Sequence, residues 1–337
     1  MVLLEQIMKL RIGLVLGDPC GVGPELVAKL VASPQIVDQA AVVVIGDRRV
    51  LAMGESVSGT RISVPVIKHP EELPDKPNGL CILDLPAFDP KEVEIGKQSA
   101  ASGAWQLACL SLALDLCTAG KVDGFCFGPL NKEAMRLGGL KYEDEQGFFA
   151  EKLGVDGPIG MMNTLGHLWT SRVTSHVAFK DVSNLISEES VLKAIMLADT
   201  TLRNSGIAAP RIAVAGLNPH AGEGGFFGYE EKNKILPAIK QAQEKGVKVV
   251  GPFPADTIFL KGRDGVYDVI VTMYHDQGQI AMKLMGFDDG VTVHCGLPYP
   301  ITTSAHGTAF DIAGRGVANP QALRAAFNIV CSMAAKN

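Results

Sequence analysis

Arg11–Leu16 reads RIGLVL and runs directly into Gly17–Glu25, GDPCGVGPE, and then into Leu26–Val31, LVAKLV. A short run dominated by Ile, Leu and Val, without polar alternation, is the pattern of a strand buried on both faces of a parallel sheet. The Gly/Pro loop ends it, and the apolar run after Glu25 reads as a helix. The same order of strand, loop and helix recurs along the chain. Ala41–Ile45, Leu80–Leu85 and Gly124–Phe127 read as further buried strands. Ser171–Ser175, Arg211–Ala215, Val247–Val250 and Tyr267–Met273 follow later. Helices are expected over Ser99–Ala119, Glu189–Asn204, Gly228–Lys245 and Pro320–Ala334. This alternation defines an α/β protein with parallel sheets covered by helices. The length of 337 residues suits two domains, and no Pro/Ser-rich linker separates them, so interleaved domains are expected.

Composition narrows the function classes. Apolar residues make up 47% and charged residues 20%, enough for a large core and too apolar for disorder. The net charge is −5 and no Lys/Arg run occurs, which argues against nucleic acid or an anionic membrane as a partner. No uninterrupted apolar segment reaches the length of a membrane span, and the N-terminal stretch lacks signal architecture, so a cytoplasmic location is expected. Seven cysteines (Cys20, Cys81, Cys109, Cys117, Cys126, Cys295 and Cys331) form no C-x-x-C pair, and reduced core thiols are the expectation.

Ligands in open α/β sheets sit beyond the carboxyl ends of the strands. Three of the seven histidines follow predicted strands: His176, His220 and His275, the last followed at once by Asp276. Imidazole suits a borderline divalent cation, and three ligands with an open position is a catalytic arrangement. The spacing contains no local metal motif, so hydrogen-bonding loop histidines remain the alternative, with Asp256 in the PADT turn as a further polar group. GDPCGVGPE could offer a phosphate a helix N-terminus, or simply be a tight turn. In AGEGGFFGYEE, Glu230 and Glu231 could merely favour the dipole of a following helix.

Several segments resemble one family. GDPCGVGPE, GPLNKEA, GLNPHAGEGG, GPFPADTIF, YDVIVTMYHDQGQIAMK, GFDDGVTVHCGLP and HGTAFDIAGRG are similar to the 4-hydroxythreonine-4-phosphate dehydrogenases of pyridoxine biosynthesis, from Gly17 to Gly316. The resemblance implies two α/β/α domains with a cleft between them, like isocitrate and isopropylmalate dehydrogenases and unlike a Rossmann fold. On that basis the domains are expected at 1–128 plus 288–337, carrying the cofactor loop, and at 129–287, carrying the metal site and dimer interface. It implies a homodimer with a shared active site and NAD or NADP as cofactor. It also implies one divalent ion held by His176, His220 and His275, with zinc foremost and cobalt, nickel, manganese or iron as alternatives. Asp256 and Asp276 would line the pocket, Lys283 would contact substrate, and these three are the catalytic candidates. His306, Gly307, Thr308 and Asp311, in a loop similar to the adenine-side loop of isocitrate dehydrogenases, would bind the cofactor.

The chain departs from the family where the substrate should bind. Gly-His-Thr-Glu is replaced by Asp144-Glu145-Gln146-Gly147, Gly-Val-Asn by Gly290-Val291-Thr292, and the family's arginine by Ile301. Loss of an arginine that holds a phosphate by charge-assisted bonds would weaken binding by about 3–5 kcal/mol, unless Arg172 or Lys132 takes over. The expected substrate is therefore a small carboxylate without phosphate, a cyclic cis-dihydrodiol of the terephthalate type. Glu145, Gln146, Lys283, Thr292, His294 and Ile301 are the expected substrate residues. A hydroxyl beta to a carboxylate would be oxidised and the product would lose carbon dioxide. The alternatives are the phosphorylated threonine derivative as substrate, a metal-dependent hydrolase or lyase without nucleotide, and a non-catalytic binding protein.

Overall fold

The computed structural model describes residues 9–74, 79–86, 89, 91, 93–286 and 289–336. The chain divides into two compact units, Met1–Val155 with Leu297–Ala335, and Asp156–Gly296 with Lys336. These divisions differ from the expected ones at 128/129 and 287/288. The second expected boundary lies on residues outside the described ones, as do the chain ends. Residues 129–155 stay with the first unit because α5 (Lys132–Leu137) packs on α4 (Ala100–Thr118). A Cβ on Gly103 would lie 1.8 Å from the Ala134 carbonyl oxygen, so only glycine permits that approach. Residues 289–296 stay with the second unit because β11 (Val291–Cys295) pairs antiparallel with β6 (Gly160–Leu165).

The first unit is built on β1 (Arg11–Val15), β2 (Ala41–Gly46), β3 (Val66–Ile67), β4 (Leu80–Asp84), β5 (Gly124–Phe127) and β12 (Ile301–Ser304), in the order β3-β4-β2-β1-β5-β12, all pairs parallel. Every residue of β2, AVVVIG, is buried, as a parallel strand with helices on both faces requires. Each Val or Ile removed from water there contributes on the order of 1.5–3 kcal/mol. α4 is capped by Ser99, whose hydroxyl accepts the Ser102 N–H. It is long and apolar enough to cross a membrane by length and composition, but 56% of its apolar window is buried inside the unit. Six of the seven cysteines, all but Cys295, lie in this unit. All seven are buried and free, and burial pushes the Cys117 and Cys331 thiols up to about 12.

The second unit holds β11, β6, β7 (Leu168–Arg172), β10 (Val269–Thr272), β8 (Ile212–Ala215) and β9 (Val249–Phe253), in that order. β7, β10, β8 and β9 run parallel, and β6 is antiparallel to both β11 and β7. The α/β class is as read from the sequence. The strand expected over Ser171–Ser175 sits earlier, at Leu168–Arg172. β6 and β11 were not anticipated, because GMMNTL and VTVHC mix polar with apolar residues on a covered sheet.

Candidate functional site

Three adjacent parallel strands deliver the three histidines. β10 lies between β7 and β8, so the carboxyl ends of all three stand side by side. His176 follows β7 by four residues, His220 follows β8 by five, and His275 follows β10 by three and opens α11 (His275–Met285). The imidazoles of His176 and His275 are 5.5 Å apart, centroid to centroid. His275 Nδ1 is 2.7 Å from Asp276 Oδ1. A carboxylate can only accept, so Nδ1 carries the hydrogen and Nε2 is the nitrogen left to face a cation.

His220 is held differently. His220, Ala221, Gly222, Glu223 and Gly224 all have positive φ, between 41° and 79°, which makes a short left-handed turn. Non-glycine residues there each cost roughly 1–2 kcal/mol, so the surroundings must hold them. Glu231 does so from the start of the next helical segment. Its buried carboxylate accepts the N–H groups of Leu217 and Asn218, at 2.8 and 2.7 Å, and the Asn218 amide at 3.0 Å. The expectation that Glu231 only complements a helix dipole is thereby corrected. The signal was an acid eleven residues after the histidine of GLNPHAGEGG, but no local rule connects the two.

A cavity of about 770 Å³ opens at this end of the second unit. His220, Asn218, Asp256, Tyr274, Asp276 and Gln277 line it, together with apolar side chains including Ile280 and Leu284. Asp256, in the first turn of α10 (Ala255–Arg263), thus shares one cavity with Asp276 and His220. Gln277 locks the strand exits to each other, accepting the Met273 N–H at 2.7 Å and donating to the Gly216 carbonyl at 2.8 Å. Among the described residues, no three His, Cys, Asp or Glu side chains are grouped closely enough to hold a metal ion. The structure therefore brings two of the expected ligands together and leaves His220 on the wall of the adjoining cavity. The donor set suits a borderline divalent cation: a pair of exposed or half-exposed imidazoles, one oriented by a carboxylate.

The expected substrate residues fall in both units. Lys283 is exposed on α11. Glu145 and Gln146 are buried in the first turn of α6 (Glu145–Leu153), in the first unit. His294 is 1% exposed on β11. Thr292 accepts a 3.0 Å hydrogen bond from the Asn163 amide. Ile301 is fully buried in β12 among the core side chains of the first unit. It serves as a core residue there, which corrects the expectation that it faces a substrate ring.

Two glycine-bearing loops meet in the first unit. Val22 N–H donates to the Thr308 carbonyl at 3.0 Å, and a Cβ on Gly21 would lie 2.8 Å from that same oxygen. Glu25 and Lys29 of α1 (Gly23–Val31) fasten the downstream end, Glu25 accepting the Ala318 N–H and Lys29 donating to the Gly316 and Ala318 carbonyls. The loop holding His306, Gly307, Thr308 and Asp311 is thus fixed beside GDPCGVGPE, a pairing that the sequence alone did not reveal. Asp18 is wholly buried in that loop, its Oδ1 accepting the Cys20 N–H at 3.0 Å. Burial raises its pKa to about 6, against hydrogen bonds from Cys20 and Ser102 that lower it.

These features define an α/β protein with a polar, histidine-bearing site at the carboxyl ends of parallel strands. Residues 38–330 match the family model described as pyridoxal phosphate biosynthetic protein PdxA. The chain belongs to that family, whose named relatives here are dehydrogenases, oxidoreductases acting on CH–OH groups. It is 48% identical to a relative from Pseudomonas aeruginosa over 96% of both chains. It is 38% identical to the D-threonate 4-phosphate dehydrogenase of Cupriavidus necator over 93% of both. The crystal structure of 4-hydroxythreonine-4-phosphate dehydrogenase from Klebsiella pneumoniae shares 35% identity at a TM-score of 0.85, covering 99% of this chain and 100% of that one. A terephthalate 1,2-cis-dihydrodiol dehydrogenase from Burkholderia xenovorans shares 29% at 0.67, covering 96% and 98%.

Proposed function

We propose that this chain is a metal-dependent NAD(P) dehydrogenase that oxidises a hydroxyl beta to a carboxylate on a small phosphorylated hydroxy acid, of the 4-hydroxythreonine 4-phosphate or D-threonate 4-phosphate type, with loss of carbon dioxide. The observation that carries the reading is the delivery of His176, His220 and His275 by three adjacent strand exits, in a chain whose more similar relatives are named for phosphorylated substrates. The cyclic dihydrodiol gives way to it. Ile301, expected as a wall for a ring, is a core residue, and the terephthalate enzyme is less similar than the phosphate-named ones. A hydrolase or lyase without nucleotide gives way for the same reason, since the family's named relatives are dehydrogenases.

His176 and His275 would hold the divalent cation, with His220 joining them from the wall of the adjoining cavity when it binds; the cation would supply polarisation of the reacting oxygen, while a nicotinamide accepts hydride. Asp276 orients His275. Asp256 faces the same cavity and can hold or relay the hydroxyl proton. Lys283, exposed on the helix that His275 begins, can pair with the substrate carboxylate. The loop with His306, Gly307, Thr308 and Asp311 would meet the nucleotide in a fold of the isocitrate dehydrogenase type. A cytoplasmic homodimer completes the reading; exposed apolar side chains near the cavity, Phe226 at 81% and Leu284 at 83%, support the dimer.

The test is turnover, followed by absorbance of the reduced nicotinamide, with D-threonate 4-phosphate, 4-hydroxythreonine 4-phosphate and a cis-dihydrodiol carboxylate in parallel. Cofactor reduction with a phosphorylated acid is expected. Turnover of the dihydrodiol alone would restore the substrate without phosphate.

A further inference from the structure

Arg172 ends β7, paired in register with Thr272 of β10 and four residues ahead of His176. Two of its guanidinium donors are fixed by neighbouring side chains, Nε donating to Ser175 Oγ at 3.1 Å and Nη1 to Asn163 Oδ1 at 2.8 Å. Asn163, on β6 and 9% exposed, is the hub. Its Oδ1 also accepts from Gln279 Nε2 at 2.5 Å, and its amide donates to Thr292 Oγ1 at 3.0 Å. Gln279 lies one helical turn beyond His275 on α11, so this network ties the arginine to the helix that presents His275 and Asp276.

Register explains why these groups meet. Asn163 is paired with both Thr170 of β7 and Thr292 of β11, and Arg172 follows Thr170 by two residues. Side chains two apart on a strand share a face, so Asn163, Thr170, Arg172 and Thr292 stand on one side of the sheet. Thr292 is where this chain departs from the Gly-Val-Asn of the family it resembles, and it reaches Arg172 through a single intervening side chain.

We propose that Arg172 is the specificity-determining cation of this chain, receiving an oxyanion of the substrate at the carboxyl end of β7, and that Asn163 and Thr292 position it. The oxyanion is a phosphate or a carboxylate, both of which match the planar donor fork of arginine. Thr292 then acts through Asn163 instead of touching substrate. The proposal deepens the dehydrogenase reading and rests on it for its kinetic arm only.

The experiment combines R172K, R172M and N163L in the full-length protein. In the binding arm, thermal stability is followed with inorganic phosphate, and separately with malonate, as the added anion. Stabilisation of the wild-type protein that is absent from R172M supports the proposal, and the anion that gives it names the source. Equal stabilisation of wild type and R172M overturns it, whatever the enzymatic activity proves to be. In the kinetic arm, R172M is expected to raise KM by about a hundredfold or more with kcat changed far less, because one partner of a charge pair is removed. R172K should recover part of that loss, and N163L should raise KM by a smaller factor. An unchanged KM in a folded R172M also overturns it. Failure of the dehydrogenase reading would appear as absence of turnover in the wild type, with the binding arm unaffected.

Discussion

Asp276 Oδ1 stands 2.7 Å from His275 Nδ1, and this contact decides which nitrogen of His275 can meet a cation. Carboxylates behind metal-binding imidazoles fix tautomer and ring direction, and their loss typically weakens metal affinity by about 10–100-fold. D276A should therefore lower zinc or manganese affinity by that factor in a titration, with the fold intact by circular dichroism. D276N should fall between, since an amide oxygen can still accept from Nδ1. Identical affinities for wild type and D276A would show that the contact has no orienting role.

Glu231 is the second support, reaching the His220 turn from across a loop. Its bonds to the Leu217 and Asn218 N–H groups are charge-assisted, each worth about 1.5–3 kcal/mol. E231A should lose about 3 kcal/mol or more in urea denaturation and should lower turnover sharply, because the left-handed turn carrying His220 loses its anchor. E231Q retains one acceptor and should lose less on both counts. A variant that kept activity while losing stability would separate the turn from the chemistry.

The α/β class and the position of three histidines just beyond strand ends were legible because each rests on a local pattern. A run such as AVVVI can only be a buried strand or helix segment, and its flanking residues settle which. His176, His220 and His275 stand out in the sequence because each closely follows an apolar strand run, the place where ligands of open α/β sheets gather. What stayed hidden depends on partners distant in sequence. Glu231 looked like a helix-dipole acid because its bonds go back across a loop to Leu217 and Asn218. Ile301 was expected at the substrate because it stands where the family it resembles has an arginine, and burial in a parallel strand leaves no mark distinct from apolarity. Asn163 and Thr292 were unreadable as neighbours, since 129 residues separate the two across an antiparallel pair. The division at Val155 was missed because it depends on Gly103 letting α5 settle onto α4.

Asp18 gives a prediction in pH. Its carboxyl titrates near 6 when folded, against 3.8 for the unperturbed group, because it is buried. Between those values the folded chain holds the proton more tightly than the unfolded chain. This group therefore favours folding at low pH, and its contribution is lost as pH rises from about 4 to about 6. D18N keeps the shape and an acceptor for the Cys20 N–H. It should remove that slope and raise stability above pH 6 by about 2–3 kcal/mol, the free energy that separates a carboxyl titrating near 6 from one titrating at 3.8. Unfolding curves for both proteins from pH 4 to pH 8 would check this, and parallel curves would refute it.

Dehydrogenation, on this reading, depends on a cation held by three imidazoles from adjacent strand exits. The decisive experiment is nicotinamide reduction with D-threonate 4-phosphate before chelation, after chelation, and after return of a divalent ion. Activity, its loss and its recovery are expected in that order, with no recovery in H176A, H220A or H275A. Turnover that chelation leaves untouched, or that survives the loss of any of these histidines, would contradict the assignment.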